Sequence, residues 1–251
     1  MDIGPAFTRH RLFPVFSEKL YSLSLRTCAT MCRRIVFPAI FASLAAHAEQ
    51  LWLTQGVSAR PTDTVRLSFY NTVYMEHGEV FANEESPAFR WTFATNWSVG
   101  CGITFYQSHS EKEDGHHYWD FSSRPSENVA LEWTGKCGNW TFFDSNRIYM
   151  YFRKGEHDWV VYRNIFTVTA PTIPSAPWKP RPYLTQQIYF TGREGYGGLD
   201  RFSQFRTTAG LRLRPFECLA LSAYWQYRDI ESRSGDWTQR RIVGMSATLL
   251  F

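Results

Sequence analysis

Three things are scarce in this 251-residue chain: cysteine, long apolar runs and a surplus of one charge. Of five cysteines, Cys28 and Cys32 fall in a leader-like stretch, leaving Cys101, Cys137 and Cys218. Three cannot staple a small disulfide scaffold, and an odd number leaves at least one thiol unpaired within the chain. They map near strand ends on one side. In an oxidising compartment Cys101 and Cys137 are a candidate pair; three unbridged rim residues are the equal alternative. No segment after residue 48 has the roughly 20 consecutive apolar residues of a membrane-spanning helix, so a helical membrane bundle is excluded. The formal charge of +4 belongs to the N-terminal stretch. Six of the 27 basic residues (Arg9, Arg11, Lys19, Arg26, Arg33, Arg34) and two of the 23 acidic ones (Asp2, Glu18) precede Glu49, which leaves 21 against 21. That balance gives no support for nucleic-acid binding.

What is present begins with a secretion signal. Met31–Ala48 has a charged start at Arg33 and Arg34, an apolar run from Ile35 to Ala46, and the small-residue motif Ala46-His47-Ala48. This reads as a cleaved signal peptide. Residues 1–30 then read as lying upstream of the natural start or as part of an unusually long leader; residues 1–48 are expected to form the leader and residues 49–251 one domain.

That domain alternates with period two. In Thr64–Tyr74, Val65, Leu67, Phe69 and Val73 oppose Arg66, Ser68, Tyr70 and Thr72. Phe89, Trp91 and Phe93 alternate with Arg90, Thr92 and Ala94. Val99, Cys101, Ile103 and Phe105 alternate with Gly100, Gly102, Thr104 and Tyr106. Val129, Leu131 and Trp133 stand against Asn128, Ala130 and Glu132. Phe205–Leu213 and Leu219–Tyr227 repeat the pattern, and further strands fit Trp140–Phe152, Trp159–Thr169 and Tyr183–Phe190. The chain finishes Val243-Gly-Met245-Ser-Ala247-Thr-Leu249-Leu-Phe251, an alternating strand ending on an aromatic. Repeated two-residue periodicity predicts a meander of antiparallel strands. With the signal peptide and terminal Phe251, it predicts an all-β fold: a transmembrane antiparallel β-barrel of 10–12 strands in a bacterial outer membrane, apolar side chains outward. A secreted soluble barrel or sandwich is the rival.

If Phe251 lies on the periplasmic side, the outer connections are Glu76–Ala88, His109–Asp120, Arg153–Asp158, Thr191–Phe202 and Glu231–Trp237. Short turns near Thr95-Asn96, Lys136-Cys137-Gly138 and Pro215-Phe216-Glu217 fall on the other side, the asymmetry expected of such barrels. Trp97, Trp133, Trp140, Trp159 and Trp225 suit interfacial girdles. Counting Leu51–Arg60 gives eleven strands, whereas both termini on one side require an even number. The first segment is therefore read as a lead-in, giving ten, with twelve as the alternative. The proline-rich segment Pro171–Pro182 reads as a stiff extended connection, or as a segment that contacts a periplasmic partner or folds over the barrel mouth.

Trp52, Trp159-Val-Val-Tyr-Arg163, Tyr183–Phe190, Gln204–Gly210, Tyr224 and the Phe251 end together resemble a family of uncharacterised bacterial outer-membrane barrels, the domain-of-unknown-function family DUF 2490. The resemblance implies fold and location and lends no activity. The family pattern carries an acidic residue near Gln187, where this chain has none.

The inward positions are rich in arginine: Arg66, Arg90, Arg147, Arg163, Arg206, Arg212 and Arg228, with Glu132 the clearest inward acid. These predict either a structural network filling the barrel or a narrow passive pore favouring anions. His77, His109, His116, His117 and His157 all fall in outer connections. His109, His116 and His117, among Glu111, Glu113, Asp114 and Asp120, supply ligand types for zinc or copper at a spacing that matches no defined site. Ser108, Ser110, Asp114 and His116 supply parts of a hydrolytic site, as in a lipid-active enzyme, but sequence adjacency arranges none of them as nucleophile, base and orienting group. The sequence therefore predicts a non-enzymatic barrel with no cofactor. Its expected partners are outer-membrane lipid and the barrel assembly machinery, the latter through the strand ending in Phe251. An enzyme or a binding barrel using the outer loops is the alternative.

Overall fold

The computed structural model describes residues 48–111, 117–120, 125–151, 159–174, 178–193, 201–231 and 236–251. Residues 1–47 lie outside these. Twelve strands follow in order: β1 Gln50–Ala59, β2 Val65–Glu76, β3 Glu79–Ala94, β4 Trp97–Glu111, β5 His117–Asp120 and β6 Ser126–Cys137, then β7 Trp140–Tyr151, β8 Trp159–Thr169, β9 Arg181–Arg193, β10 Arg201–Phe216, β11 Leu219–Glu231 and β12 Trp237–Leu250. Strand β5 pairs only with the far end of β4. The remaining eleven close into a ring, because β1 bonds β2 on one side and β12 on the other while β3 bonds β4.

Eleven strands correct the expectation of ten or twelve. The even count assumes that every neighbour in the ring is antiparallel. Here β1 runs parallel to β12, from Gln50 opposite Ile242 to Ser58 opposite Leu250, and one parallel seam makes the ring odd. The chain therefore enters the wall at the end where β12 starts and leaves at the opposite end. At that exit Phe251 fastens the seam: its N–H donates to the Ser58 carbonyl at 2.9 Å, and its carbonyl accepts from Arg60 N–H at 3.0 Å. Below, the rim with Phe251 is the turn end and the other the loop end.

Several strands reach further than the hydropathy pattern does. Residues 79–88 belong to β3, and the connection before them shrinks to the turn His77-Gly78, with φ of 51° and 88°. Two positive values in a row define a type I′ hairpin turn. The 109–120 connection carries the end of β4 and β5, and β9 and β10 take up Thr191–Arg193 and Arg201-Phe202 of the expected 191–202 loop. Outward positions in these extensions, such as Asn83 and Glu85, are polar, which hides them from a hydrophobic alternation. The segment 153–158 falls outside the described residues. The proline-rich connection is tied down where described: Ile173 N–H donates to the Pro180 carbonyl at 3.0 Å, and Arg214 N–H to the Trp178 carbonyl at 2.9 Å. No disulfide joins Cys101, Cys137 and Cys218. Cys101 sits well inside β4 on the exposed exterior face, opposite Val129, and not at the rim.

The polarity of the two faces is inverted relative to a globular core. Leu67, Phe69, Phe89, Trp91, Phe93, Ile103, Phe105, Val129, Leu131 and Leu184 are all exposed on the exterior, while Glu132, Ser145, Asn128, Gln187 and Gln226 are buried inside. Phe89, Cys101, Val129 and Ile148 lie opposite one another along a row across β3, β4, β6 and β7. Polar patches interrupt the apolar face, one of them around Asp144. On β7 and β8, Asn146 and Asn164 side-chain amides donate to Asp144 at 2.8 and 2.7 Å, and Tyr162 OH donates to Asn146 Oδ1 at 2.6 Å. Mutual hydrogen bonding lowers the cost of seating these groups between Phe142 and Ile148. Tyr162, Phe190, Phe202 and Trp237 run as an aromatic row towards the loop end, with successive ring centroids 6.2, 5.7 and 5.5 Å apart.

Candidate functional site

Alternation along each strand sends every second side chain into the lumen, and the register decides which of them meet. Its most pointed result is that arginines face arginines. Arg66 lies opposite Arg90, Arg147 opposite Arg163, Arg181 opposite Arg212, Arg206 opposite Arg228, and Arg228 in turn opposite Arg240. Like charges directly across a strand pair are destabilising unless something neutralises them, on a scale of roughly 0.2–1 kcal/mol per pair.

Glu132 is the first neutraliser. At 2 % exposed, its carboxylate pairs with Arg90 through Oε2 and with Arg147 through Oε1, the latter at 3.1 Å. The Ser98 and Ser145 hydroxyls donate to the same two oxygens at 3.5 and 3.4 Å. One buried acid thus serves two arginines drawn from two different facing pairs. At the loop end, Arg240 is held by Glu76 at 2.8 Å and approaches Glu49 at 3.9 Å.

Arg163 finds its partners without a carboxylate, with only its buried Nε left without an acceptor. Its Nη1 donates to Tyr149 OH at 2.9 Å and its Nη2 to Gln187 Oε1 at 2.7 Å, while its guanidinium packs 5.1 Å from the Tyr189 ring centroid. Tyr189 OH also donates to Gln187 Oε1, at 3.0 Å. Arg212 stacks on Tyr183 at 4.6 Å and reaches Thr169 Oγ1 at 3.4 Å towards the turn end, away from the main cavity. Beside it Arg181 donates to Thr141 Oγ1 and to the Ala170 carbonyl.

Arg206 and Arg228 have aromatic faces in place of acids. Arg206 lies 4.8 Å from the Tyr189 ring centroid and 5.6 Å from that of Trp52, and Arg228 lies 6.0 Å from Trp52. With the Gln204 amide turned so that its oxygen faces them, it accepts from Arg206 Nε and Nη2, the latter at 2.7 Å, and from Arg228 Nε at 3.1 Å. No carboxylate among the described residues pairs with either guanidinium. Glu84 accepts from Tyr74 OH at 2.7 Å and from Ser86 OH at 3.1 Å.

Arg66, Arg90, Glu132, Arg147, Arg163, Arg206 and Arg228 all line one cavity of about 740 Å³. A second cavity of about 230 Å³ towards the turn end shares Arg66 and Arg90 with it. The glycines of the wall are part of the fit. Gly244 lies opposite both Trp52 and Tyr224, and a Cβ there would fall 1.9 Å from the Tyr224 ring. Gly210 stands to Tyr183 in the same way, at 2.6 Å.

His77 occupies the β2–β3 turn, His109 lies opposite Trp119 and His117 opposite Glu111; His116 and His157 lie outside the described residues. Among the described residues no three His, Cys, Asp or Glu side chains group as metal ligands. Of the residues weighed for a hydrolytic site, Ser108 lies opposite Asp120 and Ser110 opposite Tyr118, while Asp114 and His116 lie outside the described residues. At the loop-end rim, beyond the apolar face, Arg201 Nε donates to Glu231 Oε2 at 2.6 Å, and this bond holds the Glu231 carboxyl below its ordinary value.

Sequence reasoning alone passed over Tyr149, Tyr189, Gln204 and Glu84 as parts of the lumen, together with the seating of Trp52 beneath two guanidiniums. Each is inward by alternation, but only the register brings Tyr149, Tyr189 and Gln204 to an arginine and Glu84 to Tyr74. The geometry defines a closed, mostly antiparallel β-barrel with an arginine- and tyrosine-lined lumen. Compared with protein-family models and with curated proteins, the chain matches none.

Proposed function

We propose that this chain is a non-enzymatic barrel of a bacterial outer membrane, whose basic lumen is a charge-paired network that leaves a narrow passive path for small anions. One observation carries the reading: a closed ring exposes Phe, Trp, Leu and Val outward, buries Glu132 and turns the arginines inward. In water that arrangement would leave a large apolar surface uncovered. In lipid it is the favourable one, because a closed sheet satisfies every backbone group within the hydrocarbon layer. The signal peptide at residues 31–48 supports export, and the alternating β12 ending at Phe251 supports delivery through the barrel assembly machinery of a Gram-negative cell. The resemblance to DUF 2490 barrels belongs to the same proposal. For the lumen, support comes from the excess of guanidinium over carboxylate in the main cavity, which raises the local anion concentration and repels cations.

The test is reconstitution of the folded protein in planar bilayers with a salt gradient across them. Discrete conductance steps with a reversal potential on the anion side are expected. A protein that folds in detergent, shifts on a gel with heating and never conducts would remove the passive path and leave a filled barrel. A monodisperse protein in plain buffer would remove the membrane reading itself.

A further inference from the structure

The lumen answers the same electrostatic problem in two ways. Where Arg90 and Arg147 converge, a fully buried carboxylate lies between them. Where Arg206 faces Arg228, directly opposite on β10 and β11, no acid of the described residues is supplied. In its place stand two aromatic faces, Trp52 and Tyr189, and the amide oxygen of Gln204. Arg228 is pressed from its other side by Arg240, whose own charge is already engaged by Glu76. The nearby acid Glu84 is committed to the Tyr74 and Ser86 hydroxyls.

Both guanidiniums line the cavity of about 740 Å³, a volume within the range of roughly 300–1,000 Å³ for small-molecule sites. Cation–π contact fixes the planes of the two guanidiniums without using their N–H groups. Gln204 takes up some of those donors, and the others stay available. Planar guanidinium forks match oxyanions bidentately. Two forks held side by side, carrying two positive charges, suit a tetrahedral dianion whose several oxygens reach both.

We propose that Arg206 and Arg228, seated on Trp52 and Tyr189, form a binding site for a phosphoryl oxyanion, either free phosphate or a phosphomonoester. The site deepens the reading of the lumen as an anion path and rests on it for how the ligand arrives. Trp52 belongs to β1, so the strand that closes the ring along the parallel seam also builds the floor of the site. A barrel closed by β2 and β12 alone would lack that floor.

The test uses the full folded chain in detergent micelles, titrated calorimetrically with inorganic phosphate and, separately, with glycerol 3-phosphate. Saturable one-to-one binding is expected, weakened at least tenfold in Arg206→Gln/Arg228→Gln and unchanged in Arg181→Gln. Heat-modifiable migration reports that each variant is folded. If the double variant misfolds, Arg228→Gln alone serves and must also weaken binding, by a smaller factor. Tighter binding of glycerol 3-phosphate than of phosphate would assign the site to an esterified ligand, and the reverse order to the free ion. No saturable binding of either probe to the wild type, or equal binding by the double variant, overturns the proposal. Because micelle titration needs no conduction, a barrel that binds phosphate but carries no current would defeat only the pore reading. A conducting barrel with no binding would defeat only the site.

Discussion

Val129→Arg separates a lipid-facing wall from a water-facing one by magnitude alone. Val129 is 50 % exposed on the exterior of β6, in a row with Phe89, Cys101 and Ile148. On its own strand Leu131 and Trp133 succeed it towards the turn end, and on β4 Ile103 and Phe105 continue the apolar face beyond it towards the loop end. It therefore sits near the middle of the band. A half-exposed surface residue in water tolerates substitution within about ±0.5 kcal/mol, and an added arginine there would cost nothing further. In lipid, arginine at the midplane of a barrel's outer face costs about 2–4 kcal/mol, falling to about 0–1 near the interface. Reversible urea unfolding in phospholipid vesicles reads the difference directly. With a urea slope of about 1–3 kcal/mol/M for a small protein, the midpoint falls by about 0.7–4 M. Trp133→Arg, closer to the turn end, serves as the shallow control with a smaller loss. A Val129→Arg protein within about 0.5 kcal/mol of wild type would refute the lipid-facing assignment of this wall.

Three further expectations test other parts of the structure. Glu132→Gln removes the charge that holds Arg90 and Arg147 while keeping the shape. Breaking a buried pair from one side costs about 3–5 kcal/mol, so an unfolding loss below about 1 kcal/mol would mean the two arginines find other partners. Leu53 and Met245 lie opposite each other across the parallel seam. In a background lacking the three native cysteines after residue 48, Leu53→Cys/Met245→Cys should form an oxidative crosslink seen as a mobility shift, and its absence would argue for closure by β2 and β12. The Glu231 carboxyl is held low by the Arg201 bond. Its stabilising contribution is therefore full above the unfolded carboxyl value and lost as pH falls through the lower folded one. Carboxyl-carbon NMR should show Glu231 titrating at higher pH in Arg201→Gln than in wild type, and equal titration would remove the ion pair as the cause.

How much of this was legible in the sequence varied strand by strand. Where the exterior is apolar, as in Val65–Phe69 or Val129–Trp133, alternation marked both the strand and its faces. It weakened on β7 and β8 because Asp144, Asn146 and Asn164 hold outward positions and satisfy one another by hydrogen bonds. It failed in the first half of β3, where outward Asn83 and Glu85 read as loop. The inward arginines were legible as a set, since parity alone places them. Their division into paired and unpaired members was not, because Glu132 chooses between arginines on different strands.

The sequence by itself determined the all-β class, the inward and outward faces of the strands with an apolar exterior, and the balance of charge after residue 48, because these follow from local periodicity and from counting. Only the tertiary structure decided that eleven strands close through a parallel seam, since the direction of the closing pair links residues some 190 positions apart in the chain. It also decided that Arg206 and Arg228 face each other over Trp52 without an acid, because register is set by the whole sheet closing on itself. Neither parity nor propensity encodes that distance between strands.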